Sequence, residues 1–392
     1  MTGETTISQA QLRTRARIAA HVLWDGMTDP QAVTANEVPW HPEAIGASWI
    51  TAVLARAASD ARALQVEVTG GDDGSSVRRR IRVEWNDAGK TARLPTQLFA
   101  KSTPTLATRL SAGMAATAEG RFLLELRPSL AIEAPVCLYS ARDADSGRSL
   151  HLLEDLTATR GARFCNVETD IDREQAEQIV DTLAEIHGIF LLRGDVDELT
   201  WLGTYEDFFR AAGRSGIQDA HERAMVRAAD VIPPAVSKRR DEIWPAAVDA
   251  LALHGNHQRT LLHSDVHLGN WYITSEGRMG ICDWARVCRG HWARDLAYAL
   301  MTTLSRENRQ AWERDLIARY LAKLGEKFGV AIDYHDAWDA YRAQSFAALL
   351  MWTPTLCPPA MLPDMQPEAM SMTMIERIAG AIDDLDALDV FS

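Results

Sequence analysis

The stretch His263-Ser264-Asp265-Val266-His267-Leu268-Gly269-Asn270 carries the densest chemical signal in the sequence. It comes directly before a predicted pair of short strands, 271–274 and 279–282, which a glycine-containing turn would connect. Asp283 follows at the end of the second strand. A hairpin between the two strands is expected to fold Asp283 back beside Asn270.

This spacing suits phosphoryl transfer. The transition state of that reaction spreads negative charge over the phosphoryl oxygens, so positioning and cations do most of the work. A carboxylate and an amide oxygen suit magnesium, a hard cation that prefers oxygen ligands. Asp265 fits the residue that orients an acceptor hydroxyl, while Asn270 and Asp283 fit the metal ligands.

Upstream of this stretch, the hydrophobic periodicity predicts a small antiparallel sheet with one helix. Apolar residues at helical spacing predict a helix over about 43–63. The glycine-rich segment 70–76 is typical of a turn. Alternating apolar positions predict a half-buried strand over 77–85. The other predicted elements of this part are strands at 64–69, 97–101, 135–140 and 149–154 and a helix over 105–127.

Downstream of about residue 170 the pattern becomes helical. Asp172 and Gln175 are placed to cap the start of a helix that continues to Phe190. Most of 295–390 is also predicted to be helical, with interruptions at several prolines. The whole chain is therefore predicted to be α/β (α+β), with a sheet-containing N-terminal part and a helical C-terminal part.

The motif HxDxxxxN, followed by an apolar strand and Asp-Trp, resembles the aminoglycoside phosphotransferase and choline kinase branch of the kinase-like fold. Within that branch it is most similar to the ecdysteroid-kinase-like small-molecule kinases. The resemblance covers about 45–390. It is supported by further motifs: Leu98–Lys101, Glu119–Phe122, Leu152–Leu156, Arg294–Tyr298 and Ile375–Arg377.

The resemblance implies a nucleotide site. Lys101 would contact the α and β phosphates of ATP and pair with Glu119. The backbone of three hinge residues would hold the adenine edge, and a glycine turn would cover the phosphates, where backbone N–H groups can approach anions. The hinge residues are Glu154, Asp155 and Leu156, and the turn glycines are Gly70, Gly71 and Gly74.

The resemblance also implies that Asp265 is the catalytic aspartate and that Asn270 and Asp283 bind Mg²⁺. His263, His267 and Asp295 are interpreted as possible substrate contacts or supports of the loop. The sequence departs from the family at Ser264, where glycine is more usual, and this is expected to alter the local backbone geometry more than the chemistry.

Two other functions were weighed. His263, Asp265 and His267 form an HxDxH pattern that could bind zinc in a metal-dependent hydrolase. A nucleotide-binding pseudokinase is the second alternative. The Lys101–Glu119 pair could also be an ordinary surface salt bridge that contributes little, and Gly70–Gly74 could be a plain hairpin turn.

Composition excludes several classes of protein. The 392 residues carry 41 basic and 54 acidic side chains, a net charge of −13, which argues against a nucleic-acid partner. Five cysteines without CxxC spacing argue against a disulfide framework. The apolar stretch 346–352 is far too short to span a bilayer, and the N-terminus does not resemble a signal peptide. We therefore expect a cytoplasmic protein without a membrane partner.

Taken together, the sequence predicts a two-lobed, protein-kinase-like enzyme that uses ATP and Mg²⁺ to phosphorylate an alcohol group of a small molecule. The predicted divisions are an N-terminal helical extension at 1–42, a nucleotide-binding lobe at 43–153 and a catalytic lobe at 154–392. Eight of the 12 tryptophans lie at or after Trp201, which suggests an acceptor with an apolar body. The sequence specifies neither the acceptor nor the oligomeric state.

Overall fold

The computed structural model of the chain describes residues 9–74, 76–111, 113–359 and 365–391. The chain divides into two compact units. The N-terminal unit comprises Met1–Ser129 and Pro135–Gly161, and the C-terminal unit comprises Leu130–Ala134 and Ala162–Ser392.

The N-terminal unit contains an antiparallel sheet in the order β1-β2-β3-β5-β4. Its strands are β1 (Ala63–Asp73), β2 (Val77–Trp85), β3 (Gln97–Ser102), β4 (Cys137–Arg142) and β5 (Ser149–Glu154). Its helices are α1 (Gln9–Thr28), α2 (Ala47–Leu54), α3 (Asp87–Thr91), α4 (Leu106–Ser111), α5 (Gly113–Arg121) and α6 (Leu156–Arg160).

Alternation along β2 builds the core of this unit. Ile81, Val83 and Trp85 are buried, while Arg82 and Glu84 between them are exposed. The buried side chains pack against Trp49 and Ile50 of α2, which cover one face of the sheet. The half-buried strand predicted from the sequence is thus confirmed, and its two-residue period directs the apolar side chains toward α2.

Three predicted boundaries in this unit are wrong. The helix predicted over 43–63 ends at Leu54, because side-chain acceptors on Thr51 and Asn86 fix the backbone of 62–63 at the entry to β1. The helix predicted over 105–127 comprises α4 and α5 and then changes to a π-turn over Phe122–Leu126. The turn predicted over 70–76 is shorter, because β1 continues to Asp73.

Helix α1 is anchored by a buried carboxylate. Asp25 is fully buried and accepts hydrogen bonds from Arg109 Nη2 at 2.6 Å and from Arg148 Nε at 3.1 Å. Arg148 Nη2 donates to the second carboxylate oxygen. Arg109 also donates to the carbonyl of Ser146 at 3.0 Å. Desolvation opposes ionisation of Asp25, but the two arginines hold the pKa of its carboxyl below the usual value.

The C-terminal unit is mostly helical and contains two small antiparallel sheets, β10-β7 and β6-β8-β9. Its strands are β6 (Arg163–Phe164), β7 (Thr260–Leu262), β8 (Trp271–Ile273), β9 (Met279–Ile281) and β10 (Cys288–Gly290). Its helices are α7 (Arg173–Arg193), α8 (Tyr205–Gly213), α9 (Ile217–Arg227), α10 (Pro234–Lys238), α11 (Arg240–Ala250), α12 (Ala252–Asn256), α13 (Ala293–Thr303), α14 (Arg306–Phe328), α15 (Tyr334–Ala343), α16 (Ser345–Leu356) and α17 (Glu368–Asp384).

Helix α13 lies at the centre of this unit, and each of its residues is buried. It packs against α7, α14, α15, α16 and α17. The predicted cap of α7 is confirmed: Asp172 accepts from Gln175 N–H, and the Gln175 side chain accepts from Asp172 N–H. In the part of the chain that the structure describes, no helix combines the length and apolar character needed to cross a membrane.

We predict that Asp25→Asn lowers the free energy of unfolding by about 3–5 kcal/mol, because two buried or half-buried guanidinium groups lose their counter-charge. Urea unfolding at neutral pH measures this loss. Arg17→Ala is the matched control: it breaks an exposed pair with Asp145 and should cost less than about 1 kcal/mol. Equal losses in the two variants would show that the buried carboxylate does not anchor α1.

Candidate active site

The backbone of the loop after β7 is held by one carboxylate. Asp295, in the first turn of α13, accepts from His263 N–H at 2.7 Å and from Ser264 N–H at 3.0 and 3.2 Å. Asp295 is fully buried, so it lies where it can brace the loop rather than meet a substrate directly. Ser264 has a φ of +64°, a left-handed conformation that glycine adopts more easily.

His263 is oriented by two hydrogen bonds within the loop. Its Nδ1 accepts from Asp265 N–H at 3.2 Å, so its Nε2 carries the proton and donates to the carbonyl of Cys282 at 3.0 Å. The ring is fully buried against Trp284, and desolvation lowers the pKa of His263. With both ring nitrogens occupied, His263 is poorly placed to bind zinc, which argues against the HxDxH hydrolase alternative. Across the described ranges, no group of three His, Cys, Asp or Glu side chains is arranged to hold a metal ion.

The β8–β9 hairpin brings Asn270 and Asp283 to the same end of the sheet. Trp271 pairs with Ile281, and Cys282 N–H donates to the carbonyl of Asn270 at 2.9 Å. Asp283 is the next residue and has a φ of +62°, which aspartate tolerates better than most side chains.

The side chain of Asn270 is oriented for metal binding. Its Nδ2 donates to the carbonyl of Asp265 at 2.7 Å, which leaves its Oδ1 as the atom able to act as a ligand. An amide oxygen beside a carboxylate fits Mg²⁺, since magnesium in phosphotransferase sites takes one or two carboxylates and completes its shell with water and phosphate oxygens. Asn270 and Asp283 therefore fit a magnesium site.

Three side chains surround the carboxylate of Asp265, which remains 22% exposed. Tyr298 Oη donates to its Oδ1 at 3.5 Å. His267 Nδ1 accepts from Gly269 N–H at 3.1 Å, so the protonated Nε2 faces the same Oδ1 at 3.9 Å. Arg286 Nε lies 4.0 Å from Oδ2. Tyr298 is within hydrogen-bond distance of Asp265, whereas His267 and Arg286 turn an N–H toward its carboxylate from 3.9 and 4.0 Å.

Sequence reasoning missed the roles of Tyr298 and Arg286. Tyr298 lies three residues after Asp295 on α13, so both project from one face of the helix and reach the loop together. Arg286 lies three residues after Asp283, directly beyond the hairpin. These spacings are the sequence signals that could have identified both side chains.

The buried guanidinium of Arg294 packs against the ring of Tyr298, one of the side chains around Asp265. Arg294 is fully buried, and its centre lies 4.5 Å from the ring of Tyr298 and 5.1 Å from the ring of Tyr205. The two ring faces and the adjacent charge of Asp295 compensate its desolvation and keep its pKa above the usual value. The stacked guanidinium fixes the ring of Tyr298, and with it the hydroxyl that contacts Asp265.

In the N-terminal unit, Lys101 and Glu119 form a buried ion pair. Lys101 Nζ lies 2.8 and 2.9 Å from the two carboxylate oxygens, and the side chains are 11% and 4% exposed. The alternative that Lys101 and Glu119 form an ordinary surface salt bridge is therefore wrong, because both side chains are nearly buried. The next residue, Gly120, lies close to β4, because a Cβ there would lie 2.1 Å from Ser140 Oγ.

The predicted hinge residues follow β5. The N–H of Glu154 donates to the Val136 carbonyl at 3.0 Å, and the N–H of Asp155 donates to the Gln97 carbonyl at 3.4 Å. The Asp155 carboxylate caps α6. Leu156 is the first residue of that helix, so its N–H has no partner within the helix. Of the three predicted hinge N–H groups, that of Leu156 is therefore the best placed to donate to an adenine ring.

The glycines predicted to form a phosphate-covering turn lie mainly in the β1–β2 ladder. Gly70 pairs with Arg80 and Gly71 with Arg79, and Gly74 is at the hairpin tip. A Cβ at Gly71 would lie 1.9 Å from the Arg78 carbonyl, so this glycine is required by the close approach of two strands. The N–H of Gly74 donates to the Ser76 carbonyl at 3.0 Å. Phosphate binding by this turn stays a prediction.

Comparison with known proteins agrees with this geometry. A family model described as the phosphotransferase enzyme family matches residues 53–343, more than half of the chain. The chain therefore belongs to that family, and it is a small-molecule kinase. The ecdysteroid-kinase-like subgroup stays a prediction. The search of curated proteins returned no match.

Among solved structures, choline kinase from Cryptosporidium parvum Iowa II aligns with a TM-score of 0.53 and 10% identity, over 85% of this chain and 94% of that one. Choline kinase LicA from Streptococcus pneumoniae aligns with a TM-score of 0.44 and 14% identity, over 83% and 94% of the two chains. The fold is of the protein-kinase-like type, as the sequence predicted. At these identities the likeness concerns the fold alone.

We predict that Asp295→Asn destabilises the protein by about 3 kcal/mol, because one amide oxygen cannot replace a carboxylate that accepts from two backbone N–H groups. Burial opposes ionisation of Asp295, but His187 and Arg294 hold its pKa below the usual 3.8. Its contribution is therefore present above that pH and is lost as the pH falls through the lower folded-state pKa.

Urea unfolding at pH 7 and at several acidic pH values measures both effects. Asp230→Asn, at an exposed turn, is the control and should change stability by less than about 0.5 kcal/mol. If Asp295→Asn follows the control at neutral pH, or keeps the full acid sensitivity of the wild type, the loop does not depend on this carboxylate.

Proposed function

We propose that the enzyme transfers the γ-phosphate of ATP to a hydroxyl group of a small molecule with an apolar body. The observation that carries the proposal is the arrangement of Asp265, Asn270 and Asp283 around one hairpin, with an oriented amide and two carboxylates. The buried Lys101–Glu119 pair supports a nucleotide site, since a lysine held by a carboxylate is suited to contact phosphates.

In this mechanism each residue has one task. Asp265 accepts a hydrogen bond from the acceptor alcohol, aligns its oxygen for in-line attack and takes its proton as the new O–P bond forms. The bond between the γ-phosphorus and the β–γ bridging oxygen of ATP breaks in the same step, and that oxygen leaves with ADP. Asn270 and Asp283 would hold Mg²⁺, which supplies positive charge to the phosphate oxygens. Lys101 would neutralise the α and β phosphates, and Asp295 keeps the loop in position.

The apolar body of the acceptor is proposed from the aromatic side chains near Asp265. The ring of Trp352 lies against His267 at 5.2 Å, edge to face, and Phe208 is 39% exposed beneath Arg286. Aromatic walls with a few directed polar groups are typical of small-molecule sites.

We expect Asp265→Asn to lower kcat by about 10²- to 10⁴-fold, because the amide cannot take the proton of the alcohol. A metabolite panel assayed for ADP release, with mass spectrometry of the product, identifies the acceptor for this test. The Kd for Mg·ADP should change by less than about threefold, because Asp265 acts on the acceptor. Intact turnover in Asp265→Asn, with Asp230→Asn as control, would contradict the assigned role.

Asp283→Asn should weaken ADP binding in the presence of Mg²⁺ by more than about tenfold. Loss of a residue that only supports a metal ligand already costs roughly tenfold in metal affinity, and Asp283 is proposed to bind the metal itself. In EDTA the same substitution should have little effect, since no metal then links the carboxylate to the nucleotide. Calorimetric titration with ADP measures both. Lys101→Met is the contrast and should weaken binding in both conditions. A metal-independent effect of Asp283→Asn would remove it from the metal site.

A further inference from the structure

The side chains around Asp265 constrain the charge of the acceptor. Any alcohol whose hydroxyl reaches the Asp265 carboxylate must come close to Arg286, His267 and Tyr298, which approach that carboxylate at 3.5–4.0 Å. One of the three carries a permanent positive charge, because guanidinium does not lose its proton in proteins. The other two present an Nε2–H and an O–H.

The guanidinium of Arg286 packs against an aromatic ring, and among the described residues its nearest carboxylate oxygen is 4.0 Å away. Its centre lies 4.8 Å from the ring centroid of Phe208, a cation–π contact that fixes the plane of the group. Its Nε is 4.0 Å from Asp265 Oδ2, which is beyond hydrogen-bond distance. The side chain is 35% exposed, so a ligand in front of Asp265 can reach its donors.

We propose that Arg286 binds a carboxylate on the acceptor, so that the substrate is a hydroxy acid rather than an amino alcohol. This inference rests on the proposed function and names the substrate class of the same site. Arg286 supplies a planar set of N–H donors that matches a carboxylate, and such charge-assisted pairs are short and directional. Phe208 then covers part of the apolar body next to the carboxylate.

The geometry limits the distance between the two functional groups. If the hydroxyl contacts Asp265 and the carboxylate contacts Arg286, both through ordinary hydrogen bonds, the groups lie within roughly four carbon atoms of each other. The substrate is then a 2-, 3- or 4-hydroxy acid with an apolar remainder. A cationic alcohol such as choline would place its charge against that of Arg286 and lose binding.

A different role for Arg286 leads to a different result. If its guanidinium contacted the transferred phosphoryl group instead, its removal would slow the reaction of all acceptors equally. If Arg286 binds the acceptor, its replacement lowers kcat/KM for hydroxy acids and leaves kcat/KM for uncharged analogues largely unchanged. Matched acceptors that differ only in charge therefore separate the two roles.

The test uses 2-, 3- and 4-hydroxyoctanoate, the corresponding hydroxyoctanamides and the corresponding amino alcohols. Each is assayed with the full-length enzyme, ATP and Mg²⁺, by ADP release and by mass spectrometry of the phosphorylated product. For at least one regioisomer, we expect kcat/KM for the acid to exceed that for the amine by about tenfold or more. Arg286→Gln should remove at least about tenfold of kcat/KM for the acid and change that for the amide by less than about threefold.

Arg286→Lys, which keeps the charge but not the planar donor set, should retain part of the preference. Arg210→Gln, an exposed arginine on the same helix as Phe208, is the control and should behave as the wild type. Preference for the amine, equal losses for acid and amide in Arg286→Gln, or a panel in which no hydroxy acid is phosphorylated would each overturn the proposal. Failure of the kinase mechanism itself would appear separately, as absence of Mg²⁺-dependent ADP binding in the wild type.

Discussion

The pair of hydrogen bonds from the His263 and Ser264 N–H groups to Asp295 is the interaction on which the rest of the site depends. It ties the loop after β7 to α13, the most deeply buried helix of the C-terminal unit. A carboxylate without solvent is costly unless it is well paired, and this one also lies 3.5 Å from His187 Nε2. With the loop fixed at its start, local hydrogen bonds orient the side chains of His267 and Asn270 further along it.

Ser264 adopts a left-handed backbone directly after the two N–H groups that donate to Asp295. Its φ of +64° changes the direction of the chain between this brace and Asp265. Glycine reaches this conformation without the clash that a Cβ introduces, which explains why glycine is the more usual residue here. The departure from the family at this position therefore leaves the geometry in place and adds a local energetic cost.

Much of this could be predicted from the sequence because it depends on short spacings. The hairpin after the loop, the alternating strand β2 and the Asp172–Gln175 cap are each encoded within about ten residues. Other features depend on distant partners. The glycines at 70–74 predict a turn when the segment is taken alone, but Gly70 and Gly71 pair with β2. Gly120 likewise lies against β4, which its neighbours in the sequence do not reveal. The approach of Arg286 and Tyr298 to the Asp265 carboxylate depends on the tertiary fold, since they follow it by 21 and 33 residues, and the sequence hints at it through their three-residue spacings from Asp283 and Asp295.

The charge around Asp265 also shows why a shared fold does not specify a substrate. The residues proposed for phosphoryl transfer, Asp265, Asn270 and Asp283, lie on the loop after β7 and on the hairpin that follows it. The aromatic side chains near Asp265 belong to other elements: Phe208 is on α8, Trp352 on α16 and Tyr298 on α13. Phe208 is 39% exposed and can change without disturbing the Asp295 brace, whereas Tyr298 shares a face of α13 with Asp295. Specificity can therefore vary while the phosphoryl-transfer residues stay in place.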